Sequence, residues 1–229
     1  MSSIDLEDPP CRVRLVRNAR ARRFTLRLEA SGGGAVLTVP RGVPEVESRR
    51  FLTRHAGWLR SALARQPEAV IVGAGAQLPV AGRPVLVQVR PGPRRAPVLE
   101  GGALVLQGAG AEGARIAAWL RLRARDALLP AARGHARRLG RQIEAIALRD
   151  TRSRWGSCSS TGTISFSWRL AMAPPEVLDY VAAHEAAHLV EMNHSDRYWA
   201  VLERLMPDYP RRRAWLKREG QGLHAYRFD

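Results

Sequence analysis

Apolar and polar residues alternate in two early stretches, Cys11-Arg12-Val13-Arg14-Leu15-Val16 and Phe24-Thr25-Leu26-Arg27-Leu28. That period of two predicts half-buried strands. Gly32-Gly33-Gly34 supplies a turn into Ala35-Val36-Leu37-Thr38-Val39, which predicts a hairpin. The pattern then lengthens. Pro44-Glu45-Val46 opens a helix expected over residues 44–65, with Val46, Phe51, Trp58, Leu59 and Leu63 as its apolar stripe. Trp58 is read as core. Short apolar runs return at Val70-Ile71-Val72, Val85 to Val89, Val98-Leu99 and Leu104-Val105-Leu106, with Gly101-Gly102 closing the last hairpin. Gly73-Ala74-Gly75 is no nucleotide fingerprint, because no helix follows it.

Gly108-Ala109-Gly110 marks a domain boundary. A long helix is expected over residues 111–139, turning Ile116, Leu120, Leu128 and Leu129 inward and kinked or interrupted at Pro130. Strands are expected over residues 143–148 and 163–168. Helices follow from Pro174-Pro175-Glu176, from a Ser195 cap to Met206 before Pro207, and over residues 211–218. No internal repeat is evident in the sequence. The pattern predicts an α+β protein, with a β-rich module carrying one helix over residues 1–108 and a mainly helical domain over residues 109–229.

Charge changes this picture most. The chain carries 37 basic and 21 acidic residues, a net +16, and Lys217 is its only lysine. An excess of that size suggests an anionic partner, and weak, sequence-independent binding to nucleic acid is expected. The densest band is Arg115, Arg121, Arg123, Arg125, Arg133, Arg137 and Arg138 on the long helix. An arginine-rich composition offers a rival explanation, although composition alone does not explain the excess over acid. The two cysteines, Cys11 and Cys158, cannot build a disulfide framework. The N-terminus is acidic without an apolar core, so it is not a signal peptide, and no apolar run approaches the roughly 20 residues of a membrane span. A soluble cytoplasmic protein is expected.

The chemistry concentrates in His184-Glu185-Ala186-Ala187-His188, with His194 six residues on. Histidines four apart on a helix are separated by about 40° of rotation and about 6 Å of rise, so both imidazoles reach one ion. Glu185, beside the first ligand, is placed to take a proton from metal-activated water. His194 supplies the third ligand that a catalytic zinc needs. On a continued helix it would lie about 240° round from His188 and face away. The helix must therefore break, and Asn193 is the natural place because Asn tolerates the left-handed conformation. Glu191 stands where metzincins carry a glycine, and Glu191, Asp196 and Glu203 are rival third ligands. Arg154, Tyr180 and Tyr209 are candidates to face the developing oxyanion. Trp155-Gly156-Ser157-Cys158 is a candidate substrate-binding edge, its glycine allowing close backbone approach.

Arg154-Trp155-Gly156-Ser157-Cys158, Pro174-Pro175-Glu176-Val177-Leu178-Asp179-Tyr180, the His184-Glu185-x-x-His188 helix and Asn193-His194-Ser195 together resemble the YgjP-like family of zinc metallopeptidases, bacterial relatives of the SprT-like proteases. The motif match covers about residues 150–210. The resemblance implies a minimal zincin-type metallopeptidase domain with zinc on His184, His188 and His194, Glu185 as general base, and a peptide or protein substrate. Two other readings stay open. One is a metal-dependent hydrolase of nucleotides or other phosphoanhydrides. The other is a nucleic-acid-associated protein acting on DNA-bound proteins.

Overall fold

Most of the alternating segments form strands where the pattern places them. The computed structural model describes residues 2–29, 34–65 and 68–229, so the Gly32-Gly33 part of the expected turn lies outside the described residues. Contacts divide the chain into two compact units, Met1–Ala69 and Val70–Asp229. The division thus falls at 69/70, whereas the sequence reading set a boundary near Gly108. The strands that follow residue 70 share one core with the helices after Gly108.

In the first unit, β1 (Ser3–Glu7), β2 (Pro10–Asn18), β3 (Thr25–Leu28) and β4 (Gly34–Pro40) form a sheet in the order β1-β2-β4-β3. The outer pairs are antiparallel and β2-β4 is parallel. Val13 and Leu15 face inward beside Ala35, Leu37 and Val39, while Arg12 and Arg14 point out to Asp5 and Glu29. The expected single helix is two, α1 (Glu45–Arg54) and α2 (Ala56–Ala64). His55 separates them, its ring stacked 4.0 Å from Phe51 and its Nδ1 2.8 Å from the Phe51 carbonyl. The break turns the stripe. Ser48, Leu52 and Leu59 are buried, and Val46 and Trp58 are exposed, so Trp58 is not core.

The second unit repeats this sheet. After β5 (Val70–Ile71), β6 (Gln77–Val80), β7 (Arg83–Arg90), β8 (Val98–Glu100) and β9 (Ala103–Gln107) pair in the order β6-β7-β9-β8, again antiparallel, parallel, antiparallel. The repetition lies in topology and turn placement rather than residue identity, so the sequence did not reveal it. α3 (Glu112–Arg138) passes through Pro130 without interruption. Ile116, Leu120 and Leu128 are buried as expected, whereas Leu129 is only partly so. Three of the arginines in the expected basic band serve the fold. Arg115 donates to the carbonyls of Arg95, Gln107 and Gly108, Arg121 lies over Trp168, and Arg123 lies over Trp119.

β10 (Ala145–Arg149), β11 (Gly156–Cys158) and β12 (Thr163–Ser167) form a sheet in the order β10-β12-β11, which leaves β11 at an edge. A 3₁₀ turn, Trp168–Met172, leads to α4 (Pro175–Ala187), then α5 (Asp196–Leu205), α6 (Tyr209–Glu219), a second 3₁₀ turn Gly220–His224 and β13 (Tyr226–Arg227). β13 pairs with β5. Buried Arg169 fastens this C-terminal segment, donating to Asp150 at 2.7 Å and to the carbonyls of Leu223 and Tyr226. The β6-β7 turn sets the start of α4. Ala81 and Gly82 both have positive φ and donate to the carbonyls of Ala171 and Met172. A Cβ on Gly82 would meet Pro174 at 2.8 Å. Among the described residues, no helix is long and apolar enough to cross a membrane.

Candidate metal centre

α4 carries the His-Glu pair through the middle of the core. Pro174 precedes it and Pro175 stands in its first turn, where a missing N–H costs nothing. Ala182, Ala183, Ala186 and Ala187 are all buried, and such small side chains let neighbouring elements approach closely. The helix ends at Ala187, with His188 as its cap, so the break comes earlier than Asn193. It needs no left-handed residue. Leu189 donates to Ala186, and both Val190 and Glu191 donate to the Ala187 carbonyl, so the last turn tightens and unwinds. Asn193 has no positive φ. Ser195 then caps α5, accepting from the Tyr198 amide.

This reversal returns His194 to the helix face. One ring nitrogen from each of His184, His188 and His194 lies within 4.8 Å of the others, and Glu191, Asp196 and Glu203 are not part of that cluster. The Nε2 atoms of His184 and His194 are 3.1 Å apart. Burial, with the neighbouring histidines adding to it, pushes the His184 imidazole down to about 3, and burial also lowers His188. Neutral imidazoles whose lone pairs converge at that distance suit a cation between them. The Nδ1 of His188 lies 3.0 Å from the Glu191 carbonyl, which leaves its Nε2 as the free donor atom. The donor set therefore fits a divalent metal of the zinc type.

Glu185 lies beside this triad and is 4% exposed. It packs flat against β11, where a Cβ on Gly156 would sit 2.6 Å from its Cγ and 2.7 Å from its Cδ. Glycine is thus the residue that leaves room for the carboxylate. Burial raises Glu185 to about 8, and the Arg154 charge opposes that rise. A cleft of about 390 Å³ opens here, lined by Arg154, Trp155, Gly156, Tyr180, Glu185 and Leu216 among others, together with the three histidines.

A family model described as YgjP-like, metallopeptidase domain, matches residues 22–219. The chain belongs to the YgjP-like family. The match extends well beyond residues 150–210, where the motifs lie, and runs across both compact units. No curated protein and no solved structure matches the chain significantly. Membership makes this YgjP-like chain a metallopeptidase in class, a metal-dependent hydrolase acting on peptide or protein, with His184, His188 and His194 as a group able to hold the metal.

Of the candidates for oxyanion contact, Arg154 and Tyr180 line the cleft. Tyr209 does not line it and instead stacks 5.6 Å from Trp199. Burial keeps the Tyr180 hydroxyl protonated, pushing it up to about 12. Cys158 also lines the cleft, and burial raises its thiol to about 11. Sequence reasoning missed the support behind the histidines. Tyr198, fully buried, stacks 4.5 Å from His188, stands edge-on to His194 at 4.7 Å and donates from its hydroxyl to the His184 carbonyl at 3.0 Å. Trp199 stacks 5.6 Å from His194, and the Arg213 guanidinium lies 4.6 Å from the centre of the Trp199 ring. These residues follow a Ser cap at helical spacing, which reads only as an amphipathic helix until the fold brings α5 beneath the triad.

Proposed function

We propose that this metallopeptidase is a zinc enzyme in which His184, His188 and His194 hold the ion and Glu185 is the general base. The observation that supports it best is the convergence of three imidazole nitrogens beside a buried carboxylate that only a glycine at position 156 accommodates. Bound there, zinc would supply Lewis-acid polarisation of the scissile carbonyl and activation of the attacking water. Glu185 takes the proton from that water at a carboxylate oxygen and returns it to the leaving amine. Tyr180 keeps its proton and is the donor for the developing oxyanion. The substrate backbone pairs in extended form with the free edge of β11, an arrangement that places its carbonyl beside Glu185.

Glu185→Gln is the direct test. Gln still hydrogen-bonds water but cannot accept its proton, so zinc content should stay near one per chain while hydrolysis of an unfolded protein substrate falls by about 100-fold or more. Wild-type rates in the zinc-replete variant would remove Glu185 as the base. Nucleoside triphosphates assayed in parallel address the rival chemistry. Phosphate release by the wild-type protein but not by Glu185→Gln, without peptide cleavage, would replace the peptide substrate. On α3, Arg125, Arg133, Arg137 and Arg138 are exposed, and any weak, salt-sensitive contact of this helix with nucleic acid would fall to them.

A further inference from the structure

Strand order in the first unit gathers a cluster of arginines that the metal centre does not use. β4 lies between β2 and β3, so the chain that leaves β2 at Asn18 must pass the end of β4 to begin β3 at Thr25. That link carries Arg20, Arg22 and Arg23, and Arg41 follows directly on the strand end it passes. The register fixes these neighbours, with Asn18 opposite Pro40 and Thr25 opposite Thr38. Arg17, near the end of β2, donates to the Val43 carbonyl at 2.8 Å, which holds its guanidinium beside the segment that follows Arg41. The link is pinned at its start. The Arg20 amide donates to the Asn18 side chain at 2.9 Å, and the Ala21 amide to the Asn18 carbonyl at 3.1 Å. Three adjacent strand ends span about 10 Å, so these arginines share one small rim.

All five are exposed, and among the described residues none forms an ion pair, because the acids of this unit are engaged elsewhere. Glu45 and Glu47, next along the chain from Arg41, hold Arg49 and Arg50 at 2.8 and 2.9 Å. Glu29, beyond the far end of β3, takes Arg14. Asp5 and Asp8 take Arg12 and Arg60. Asp8 stands in the β1-β2 turn, the whole length of β2 away, and nine residues of strand amount to about 30 Å. That is well beyond the Debye length of about 8 Å at physiological ionic strength, so the acidic end does not neutralise the basic one.

We propose that the rim of Arg17, Arg20, Arg22, Arg23 and Arg41 binds the sugar-phosphate backbone of nucleic acid without reading its sequence. Guanidinium groups match phosphate oxygens with paired donors, and crowding them on one rim suits a chain of regularly spaced anions. A membrane surface is the poorer fit. Sites of that kind add large apolar side chains that enter the lipid. Here the link between the arginines is Ala19 and Ala21, and no large apolar residue from 17 to 43 is exposed among the described residues. The rim also presents no exposed aromatic ring on which a base could stack. Binding of this kind is independent of the metal chemistry, and gives the peptidase a surface that holds it on nucleic acid.

The test titrates the zinc-loaded full chain into labelled duplex DNA of two unrelated sequences. Both should bind alike, and affinity should fall with a log–log salt slope of about −3 to −4, as three or four phosphates release their counterions. The combined Arg20→Gln, Arg22→Gln, Arg23→Gln variant should bind about 10-fold or more weakly at low salt, with the slope flattened by about 2. Lys at the same three positions restores the charge and should restore most of the affinity, which separates lost charge from lost fold. The combined Arg125→Gln, Arg133→Gln, Arg137→Gln variant removes as much charge from α3 and should weaken binding by less than about 3-fold. No complex at low salt, an equal loss in the two Gln variants, or a loss that Lys does not restore overturns the rim. So does tighter binding to phosphatidylserine-containing vesicles than to duplex. Displacement of the labelled duplex by inorganic tripolyphosphate at a lower phosphate concentration than unlabelled duplex requires overturns it as well.

Discussion

Replacing Glu185 by Gln should stabilise the metal-stripped protein, and the gain should grow with pH. Burial raises the Glu185 carboxyl from its ordinary 4.5 to about 8. A carboxyl whose pKa is higher folded than unfolded holds more protons in the folded state across that interval. Stability therefore falls as pH rises from 4.5 toward 8 and is level beyond it. At about 1.4 kcal/mol per pH unit the whole interval amounts to about 5 kcal/mol, and the part below pH 7 to about 3 kcal/mol. Gln has the same shape and no proton to lose. Its advantage over Glu should be near zero at pH 4.5, about 3 kcal/mol at pH 7 and largest above pH 8. For a unit of this size, 3 kcal/mol is roughly 6–12 °C in Tm. The assay is urea unfolding of chelator-treated wild type and variant, followed through the second unit at pH 5, 7 and 8.5. Taking the difference between the two proteins cancels the histidines, which both share. Adding zinc should shrink the gap, because a cation beside Glu185 favours its charged form. A gap that is absent, or constant across pH, would refute a buried, uncompensated carboxylate at this position.

Two substitutions test how the site is held. Gly156→Ala puts a methyl 2.6 Å from the Glu185 Cγ, so the carboxylate must swing away. Metal content should persist while kcat falls by about 100-fold, the scale of a misplacement of about 1 Å, and an unchanged kcat would show that Glu185 has room to spare. Tyr198→Phe keeps the ring against His188 but removes the hydrogen bond to the His184 carbonyl. Stability should drop by about 1 kcal/mol. Zinc affinity, read by competition with a chromogenic chelator, should fall by about 10-fold, and unchanged affinity would make Tyr198 a packing residue only.

The parts of the site legible in the sequence were those fixed by local spacing. Two histidines four apart on a helix share a face whatever the fold, and Glu185 must lie beside them. A Ser before a helical pattern caps it wherever it packs. Non-local facts were not legible. His194 returns because the last turn of α4 tightens at Leu189, Val190 and Glu191, and neither composition nor glycine marks that reversal. Trp58 read as core because aromatic residues usually are, but the break at His55 rotates α2 and leaves it exposed. Tyr198 and Trp199 support the triad only once α5 lies under it. The repeated four-stranded sheet was hidden for a related reason, since pairing order is a matter of which strands meet and not of which residues compose them.

The proposed centre is a single zinc held by His184, His188 and His194 with one position left for water. X-ray absorption on the zinc-loaded protein addresses it most directly, alongside metal analysis of wild type and His194→Ala. Expected are one zinc per chain, three imidazole nitrogens at about 2.0–2.1 Å, one further oxygen and no sulfur, with clearly weakened binding in the variant. A sulfur shell at about 2.3 Å, which would implicate Cys158, or a fourth protein ligand closing the site, would contradict it. So would full zinc retention in His194→Ala.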